Sequence, residues 1–459
     1  MPESQDNILP PIYRSSVHGV DWPAMPGPQA SMLLAMQFQL TQSQWWRPEV
    51  LRQQQFRQAA NLLAHAIDTV PFYGEHLRML GYRPGKDGVR PEAWAEVPLL
   101  LREHIQRCGD ALRSRQLPPG HGRVFDYTTS GSTGSPIRFS KTDITDFFWR
   151  AFTLRDHLWH QRDLGGKLAV IRTTVNEAEG AGWGPATNGV FNSGSCATLN
   201  IRTDIATQAK WLARQNPDYL LSHPSNVLAL AKHCLGTGIR LPRLHQVRTF
   251  GETLMPGLRE ACLEAWAASL TDVYSAEEVG YIALQCPAHE HYHVQAESLL
   301  VEILDATGRP CSPGEIGRVV LTTLHNFAMP LIRYEIGDFA ELGEPCSCGR
   351  GLPVLKRIMG RQRNMLTLPD GRQHWPSFPA EGWLPIAPVR QFQLVQRDLE
   401  SIEARFVADR AVTAGEKQQL AAMLHEYLRY PFRIDFVQLE QIERKPNCKF
   451  EDFISEVSR

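Results

Sequence analysis

Strand-like and helix-like segments alternate through the middle of this chain, and this alternation restricts the possible folds more than any other sequence feature. The apolar run KLAVIRT (Lys167–Thr173) is typical of a buried strand, and it follows a helical pattern at Asp143–Trp159. Further strand patterns lie at Tyr219–Ser222, Gln246–Phe250 and Thr271–Tyr274, with helical patterns at Ile205–Gln215, Val227–Leu235 and Leu258–Ala268. The alternation predicts an α/β fold with a largely parallel sheet.

The sequence pattern changes on both sides of this region. From Leu299 onwards, strand-like runs separated by Gly and Pro turns predict an antiparallel or barrel-like part. Beyond MGRQRN, strand and helix patterns (FQLVQRD, SIEARFVA, EKQQLAAMLHEYL and FRIDFVQLEQI) predict a small α+β domain. We therefore expect a boundary near Gly360–Asn364 and two domains, residues 1–360 and 361–459. Residues 1–45 show no firm period and are interpreted as an extended arm that leads into helices between Trp45 and Leu80.

The amino-acid composition limits which binding partners and which cellular compartment are expected for the protein. The 459 residues carry 48 Lys and Arg against 49 Asp and Glu, a balance that gives no indication of nucleic acid binding. The sequence contains no long apolar run and no amino-terminal secretory pattern, so neither a membrane span nor export is expected. The nine cysteines are scattered, which favours a reducing compartment over a disulfide framework. These features predict a cytoplasmic enzyme.

The stretch YTTSGSTGSP (Tyr127–Pro136) is the first motif with a chemical meaning. Its Gly, Ser and Thr residues can offer backbone N–H groups and hydroxyls to an anion. It differs from the GxxxxGK[ST] phosphate loop because no lysine follows the second glycine. Taken alone, it is also compatible with a polar surface turn.

Four later motifs add charged groups, and three of them have a plain structural alternative. Glu278 in DVYSAEEVG can help to hold Mg²⁺, or can suit a solvated helix start. Asp338 in LIRYEIGD, expected at the end of a strand, can accept hydrogen bonds from ribose hydroxyls, or can belong to an ordinary turn. Arg361 lies in MGRQRN at the expected domain boundary. Lys449 in ERKPNCKFEDF can reach a cleft, or can be solvated surface.

The order of these motifs resembles that of the acyl-adenylate-forming superfamily, and especially its phenylacetate–CoA ligase-like branch. The segments VPFY, VPLLLRE, HPSNVLALA, TFGETL and AMPLIRYEIGD fit the same branch, and the resemblance covers about residues 50–362. It implies a large N-terminal adenylate-forming domain, with parallel sheets and a small β-barrel-like part. It also implies a small, mobile α+β C-terminal domain that swings between two half-reactions.

The resemblance also implies roles for individual residues. It implies contacts with the ATP phosphates for Ser130, Gly131, Ser132, Thr133 and Gly134. It implies that Gly251 and Glu252 line the adenine side beside Tyr274 and Ser275, that Asp338 binds the ribose, and that Arg361 assists. Glu278 would help to place Mg²⁺, and Lys449 would bridge the α-phosphate and carboxylate oxygens.

The implied reaction joins an aromatic carboxylic acid, such as a hydroxybenzoate or phenylacetate, to AMP and then to a thiol. The site must bring two anions together, so it needs Mg²⁺, N–H donors and a lysine. The hinge lacks its usual acid after Gly360–Arg361, and LPDGRQHWPSF departs from the phenylacetate–CoA ligase pattern. The acceptor therefore stays open between CoA, the phosphopantetheine of an acyl carrier protein, and an amine. A non-catalytic nucleotide-binding scaffold is the alternative from another class.

Two further sets of residues are candidates for binding. Cys286, His293, Cys346 and Cys348, in CPAHEHYHV and CSCGRG, suit a structural zinc, with His289 and His291 as substitutes for His293. The alternative for this set is free thiols and surface histidines. The resemblance places the acyl pocket between the helix after the phosphate loop and the strands near residues 220–280. The candidates there, most of them equally compatible with core packing, are Phe147, Phe148, Trp149, Trp183, His223 and Tyr281.

Overall fold

The computed structural model of the chain describes residues 13–79, 91–128, 137–361, 365–374, 382–383, 385–442 and 453–457. The helices in these ranges are α1 Pro28–Ser43, α2 Pro48–Thr69, α3 Pro71–Met79, α4 Pro91–Trp94, α5 Arg102–Cys108, α6 Asp143–Trp159, α7 Ile205–Gln215, α8 Pro224–Thr237, α9 Leu258–Trp266 and α10 Ala414–Leu428. A short 3-10 helix spans Gly109–Leu112. The strands up to the main boundary are β1 Val124–Thr128, β2 Arg138–Thr142, β3 Leu168–Arg172, β4 Ala178–Ala181, β5 Ser195–Asn200, β6 Tyr219–Ser222, β7 Gln246–Phe250, β8 Ser269–Ala276, β9 Gly280–Gln285, β10 Tyr292–Val294, β11 Leu299–Leu304, β12 Ile316–Thr323, β13 Tyr334–Leu342 and β14 Val354–Arg361. The later strands are β15 Leu366–Thr367, β16 Gln373–His374, β17 Val389–Gln396, β18 Ser401–Ala408, β19 Arg433–Gln438 and β20 Phe453–Ser455.

One large mixed sheet organises the first part of the chain. Within the described residues its order is β11-β12-β13-β14-β10-β9-β8-β7-β6-β3-β5-β4. Strands β5, β3, β6, β7 and β8 run parallel, which confirms the predicted α/β fold. The strands from β8 to β14 pair antiparallel, so the region expected to be antiparallel or barrel-like continues the same sheet.

Helices cover the sheet in separate buried clusters. Helices α7, α8 and α9 pack on the parallel strands around the fully buried Trp211 and Leu230. Helix α2 packs on the antiparallel strands through Leu62 and Leu63, two of the buried residues that recur at helical spacing along it. Helices α1 and α6 form a third cluster. Strands β6, β7 and β8 are parallel neighbours, so their carboxyl ends lie at one edge of the sheet, where ligands bind in such folds.

A smaller four-stranded sheet forms within the described residues after Arg361, in the order β19-β18-β17-β20. Helix α10 packs against it through Leu420, Leu424 and Leu428. Thr413 begins this helix with a capping box, in which its hydroxyl accepts from the Glu416 backbone N–H. This α+β unit agrees with the predicted fold class, whereas the boundary at residue 360 and the mobility of the unit stay predictions.

The interpretation of residues 1–45 as an extended arm is wrong for Pro28–Ser43, which form helix α1. Pro28 occupies the first turn, where its missing N–H costs nothing. A polar residue takes one core position, since Gln37 is buried and its amide donates to the Ala151 carbonyl at 2.6 Å. The apolar Met32 and Phe38 lie exposed. This exchange of polar and apolar positions hides the helical period in the sequence.

Candidate active site

Three predicted nucleotide-binding residues from three different strands meet at Asp338. The Tyr274 hydroxyl on β8 donates to Asp338 Oδ2 at 2.8 Å, and Arg361 Nε on β14 lies 3.4 Å from Oδ1. Asp338 lies inside β13 opposite Arg361, so its expected position at a strand end is wrong. Gly337 before it has a φ of +88°, a left-handed conformation that suits glycine and locally turns the strand.

The environment of Tyr274 keeps its hydroxyl protonated. Burial raises the pKa of Tyr274 well above its ordinary value, and the adjacent Asp338 carboxylate raises it further. The hydroxyl therefore acts as a hydrogen-bond donor to Asp338 across the neutral pH range. This donor orients one carboxylate oxygen while Arg361 faces the other.

Glu278 lies in the turn between β8 and β9, close to the same strands. It is buried, with 6% of its surface exposed, and its Oε1 accepts from the Tyr334 hydroxyl at 3.3 Å. Arg102 NH1 lies 4.0 Å from the same oxygen. Tyr334 and Arg102 stand in the motifs AMPLIRYEIGD and VPLLLRE, yet we assigned them no role because no spacing rule brings residues so distant in sequence together.

The remaining described candidates lie at the ends of parallel strands. Gly251 follows β7 with a φ of +79°. The carboxylate of Glu252 accepts from the Ser225 backbone N–H at 2.9 Å and so caps α8 at its amino end. Ser275 pairs with Tyr281 across the β8–β9 hairpin. Their predicted contacts with the adenine stay predictions.

The phosphate-loop candidates Ser130, Gly131, Ser132, Thr133 and Gly134 lie outside the described residues, and so does Lys449. The described chain on either side of the loop candidates forms the β1–β2 hairpin, in which Thr128 pairs with Arg138. Asn326 supports this hairpin, because its side-chain amide donates to the Ser140 carbonyl at 2.9 Å.

The candidate zinc ligands come together in space. The ligand atoms of Cys286, His293, Cys346 and Cys348 all lie within 4.8 Å of one another. The Sγ atoms of Cys286 and Cys346 lie 3.9 Å apart, and Cys348 Sγ lies 3.4 Å from His293 Nε2. His291 Nε2 also lies 3.0 Å from Cys346 Sγ, whereas His289 contacts Ser347. Three thiols and one imidazole within this distance are a donor set that suits tetrahedral Zn²⁺.

The loop that carries Cys346 and Cys348 is also held from the amino-terminal side. The Arg350 guanidinium lies 4.9 Å from the Trp45 ring centroid and 4.5 Å from that of Trp159. The Gly351 N–H donates to the Gln44 carbonyl at 2.9 Å. The residues just after α1 therefore bind the loop that joins β13 to β14.

The acyl-pocket candidates do not form one group. Trp149 and Tyr281 meet with ring centroids 4.4 Å apart, and Phe148 stacks on His325 at 4.2 Å. Trp183 instead packs on Tyr219, the first residue of β6, and its indole N–H donates to the Gly166 carbonyl. Trp183 therefore lies near the amino ends of the strands, away from the predicted nucleotide site.

The fold is that of acyl-adenylate-forming ligases. The crystal structure of 2-hydroxyisobutyryl-CoA ligase in the postadenylation state, in complex with R3-HIB-AMP, superposes with a TM-score of 0.69. The alignment covers 88% of this chain and 89% of that one at 17% identity, so it shows the fold. No family model matches the chain.

The chain is also similar in sequence to proteins of one branch of these ligases. The chain is 26% identical to the phenylacetate-coenzyme A ligase of Thermus thermophilus, over 70% of this chain and 72% of that protein. It is 25% identical to the phenylacetate-coenzyme A ligase of Pseudomonas putida with the same coverage. These similarities confirm the predicted enzyme class, an acyl-adenylate-forming ligase, and the predicted resemblance to its phenylacetate–CoA ligase-like branch.

Among the described residues, no helix is both long enough and apolar enough to cross a bilayer.

Proposed function

We propose that this enzyme uses ATP to convert an aromatic carboxylic acid to an acyl-AMP and then transfers the acyl group to the thiol of CoA. The observation that carries the proposal is the meeting of Tyr274, Asp338 and Arg361 at one edge of an acyl-adenylate-forming fold. The similarity to two phenylacetate-coenzyme A ligases supports both an aromatic acid and CoA.

Asp338 acts as the ribose anchor in this proposal. Its carboxylate oxygens are held by a phenol donor and a guanidinium, and each oxygen keeps a lone pair for a ribose hydroxyl. Charge-assisted hydrogen bonds of this kind are about twice as strong as neutral ones. The anchored nucleoside places the α-phosphate in a fixed position for attack by the acid.

Glu278 fits a role in Mg²⁺ binding, because carboxylate oxygen is the ligand that this ion prefers. Bound Mg²⁺ would neutralise phosphate charge as the two anions approach. The Tyr334 hydroxyl donates a hydrogen bond to the Glu278 carboxylate, so the Glu278 side chain is oriented before the nucleotide binds. Ser130, Gly131, Ser132, Thr133 and Gly134 would bind the phosphates, and Lys449 would serve the first half-reaction.

We further propose that Cys286, His293, Cys346 and Cys348 hold a structural Zn²⁺. A closed set of four protein ligands leaves no position for substrate, which favours a structural role over a catalytic one. The ion would link the β9–β10 hairpin to the loop after β13, the strand that carries Asp338.

Pyrophosphate release with a panel of aromatic acids tests the proposal. We expect release with phenylacetate- or benzoate-like acids and ATP, followed by thioester formation when CoA is added. Transfer to a loaded carrier protein or to an amine, with no transfer to CoA, would reassign the acceptor while keeping the adenylation step. Binding of ATP without release across the whole panel would support the non-catalytic scaffold instead.

A further inference from the structure

A lysine that no sequence motif identified lies beside the candidate acyl site. Lys141 is on β2, the strand that follows the phosphate-loop candidates, and its side chain is half-buried. Its Nζ lies 5.4 Å from the Tyr127 ring centroid, 5.3 Å from that of Phe139 and 5.9 Å from that of Trp149. An ammonium in contact with three aromatic faces is attracted by each ring and keeps its three N–H donors available.

The carboxylates near Lys141 influence its ammonium at a distance, without direct contact. Within the described part of the chain its ammonium forms no ion pair, although Glu277, Glu278 and Asp146 lie near enough to favour its charged form. Burial lowers the pKa of Lys141 against the effect of these carboxylates. Because a half-buried ammonium is costly without an acceptor, this group is suited to bind an oxygen from outside the protein.

The rings around Lys141 connect it to the acyl-pocket candidates. Trp149 packs on Tyr281, whose hydroxyl contacts Arg248 at 2.8 Å and Thr153 at 3.0 Å. Tyr127 is 47% exposed and Trp149 is 39% exposed, so these aromatic faces border accessible surface. Flat apolar faces beside a cation match an aromatic ring that carries an oxygen substituent.

We propose that Lys141 determines the specificity of the acyl site by binding a second anionic or hydrogen-bond-accepting oxygen on the ring of the aromatic acid. The inference rests on the proposed function, since it assigns a substrate class to that site. The preferred substrates are then dicarboxylic or hydroxylated aryl acids, and the unsubstituted aryl acids bind more weakly.

Calorimetric binding of benzoate, 4-hydroxybenzoate and benzene-1,4-dicarboxylate to the full chain tests this proposal. We expect the wild type to bind the two substituted acids more tightly than benzoate. Lys141→Met removes the ammonium and should weaken binding of the substituted acids by about 10- to 100-fold, the range of a hydrogen bond to a charged group. Benzoate binding should change by less than about threefold, and Lys141→Arg should restore part of the preference.

Lys167→Met is a matched control. Lys167 is also half-buried, but it directly precedes β3, at the amino ends of the parallel strands. Circular dichroism of each variant checks folding. Equal weakening of all three acids by Lys141→Met, an unchanged preference, or no binding of any of them to the wild type would overturn the proposal. Pyrophosphate release measured on the same samples separates the role of Lys141 from the proposed adenylation reaction. A binding preference that depends on Lys141, without any pyrophosphate release, would contradict the adenylation reaction and leave the role of Lys141 standing.

Discussion

At the residue scale, the candidate site depends on side chains that are distant in sequence and adjacent across strands. Tyr274, Asp338 and Arg361 were each predicted from motifs, because a motif marks a residue whatever its partner. Their mutual contacts, and those of Glu278 with Tyr334, follow from strand register and are not encoded in local spacing. Lys141 was missed for the same reason, since its ring contacts come from β1, β2 and α6.

Asp338→Asn tests the ribose anchor. The variant keeps the size of the side chain but removes the charge that Arg361 faces and that ribose hydroxyls would meet. We expect kcat/KM for ATP in pyrophosphate release to fall by about 10- to 100-fold, with little change in melting temperature. Asp370→Asn, which removes an exposed carboxylate paired with Arg372, is the control and should leave activity unchanged. A wild-type kcat/KM in Asp338→Asn would contradict the role.

The buried carboxyl of Asp272 should make the free energy of unfolding depend on pH. Burial raises its pKa to about 6, although Thr249 and Tyr292 donate hydrogen bonds to it. The folded state therefore binds this proton more tightly than the unfolded state, so the carboxyl contributes stability at low pH that is lost as pH rises through about 6. Between about pH 4 and about pH 7, wild type should lose on the order of 3 kcal/mol of unfolding free energy relative to Asp272→Asn. Urea denaturation across this range measures the difference, and a constant difference would show that the carboxyl does not titrate there.

At the element scale, long periodic segments were predictable and helices with mixed faces were not. Helices α6 and α7 agree with the sequence prediction over Asp143–Trp159 and Ile205–Gln215. Helix α1 was missed because Gln37 is buried while Phe38 is exposed. The short edge strand β4 carries AEGA, which has no strand period. Such elements form because of their tertiary neighbours rather than their own propensity.

A buried ion pair links helix α6, helix α1 and the connection between β10 and β11. Arg155 on α6 forms two hydrogen bonds with Glu297, at 2.7 and 3.0 Å, and donates to the Leu40 carbonyl on α1 at 2.7 Å. Glu297→Gln leaves the buried guanidinium without its counter-charge and should lower the unfolding free energy by about 3–5 kcal/mol in urea denaturation. Arg150→Met breaks the exposed Arg150–Asp146 pair on the same helix and should cost less than about 1 kcal/mol. Equal effects of the two variants would contradict the assigned difference in burial.

The proposed zinc site predicts a defined metal content. Cys346→Ser should reduce bound zinc from one ion per chain and lower the melting temperature by several degrees, because a link between two parts of the sheet is lost. Cys108→Ser changes a half-buried thiol on α5 and should leave the metal content unchanged. Elemental analysis and thermal melts measure both quantities. If the wild-type protein is purified without zinc and added zinc does not change its melting temperature, the proposal is contradicted.

At the scale of the whole molecule, the sequence predicted a large α/β part and a small α+β domain, but it did not predict how the two halves of the large sheet are joined. The alternation of patterns predicts parallel neighbours, since β–α–β units place successive strands side by side. The pairing of β10 with β14 joins strands that are separated by three others along the chain. No local pattern predicts such a pairing, because it is decided by the packing of the complete sheet.

Lys449→Ala tests whether Lys449 is needed for adenylation but not for thioester formation. The resemblance to adenylate-forming enzymes implies that Lys449 takes part in the first half-reaction and is moved out of the site for the second, and we propose this role here. The variant should lose pyrophosphate release by at least about a hundredfold and keep thioester formation from supplied acyl-AMP. Lys417→Ala on α10 is the control and should retain both steps. Equal loss of both half-reactions would contradict this assignment.

The position of β14 between β13 and β10 has a consequence for synthesis of the protein. The strands from β3 to β10 and the strands β11, β12 and β13 form two separate groups until Val354–Arg361 has left the ribosome. During this interval β10 and β13 each present an unpaired edge, which can pair with other chains. We therefore expect nascent chains that stop before β14 to depend on chaperones, and chains that extend beyond it to become resistant to protease.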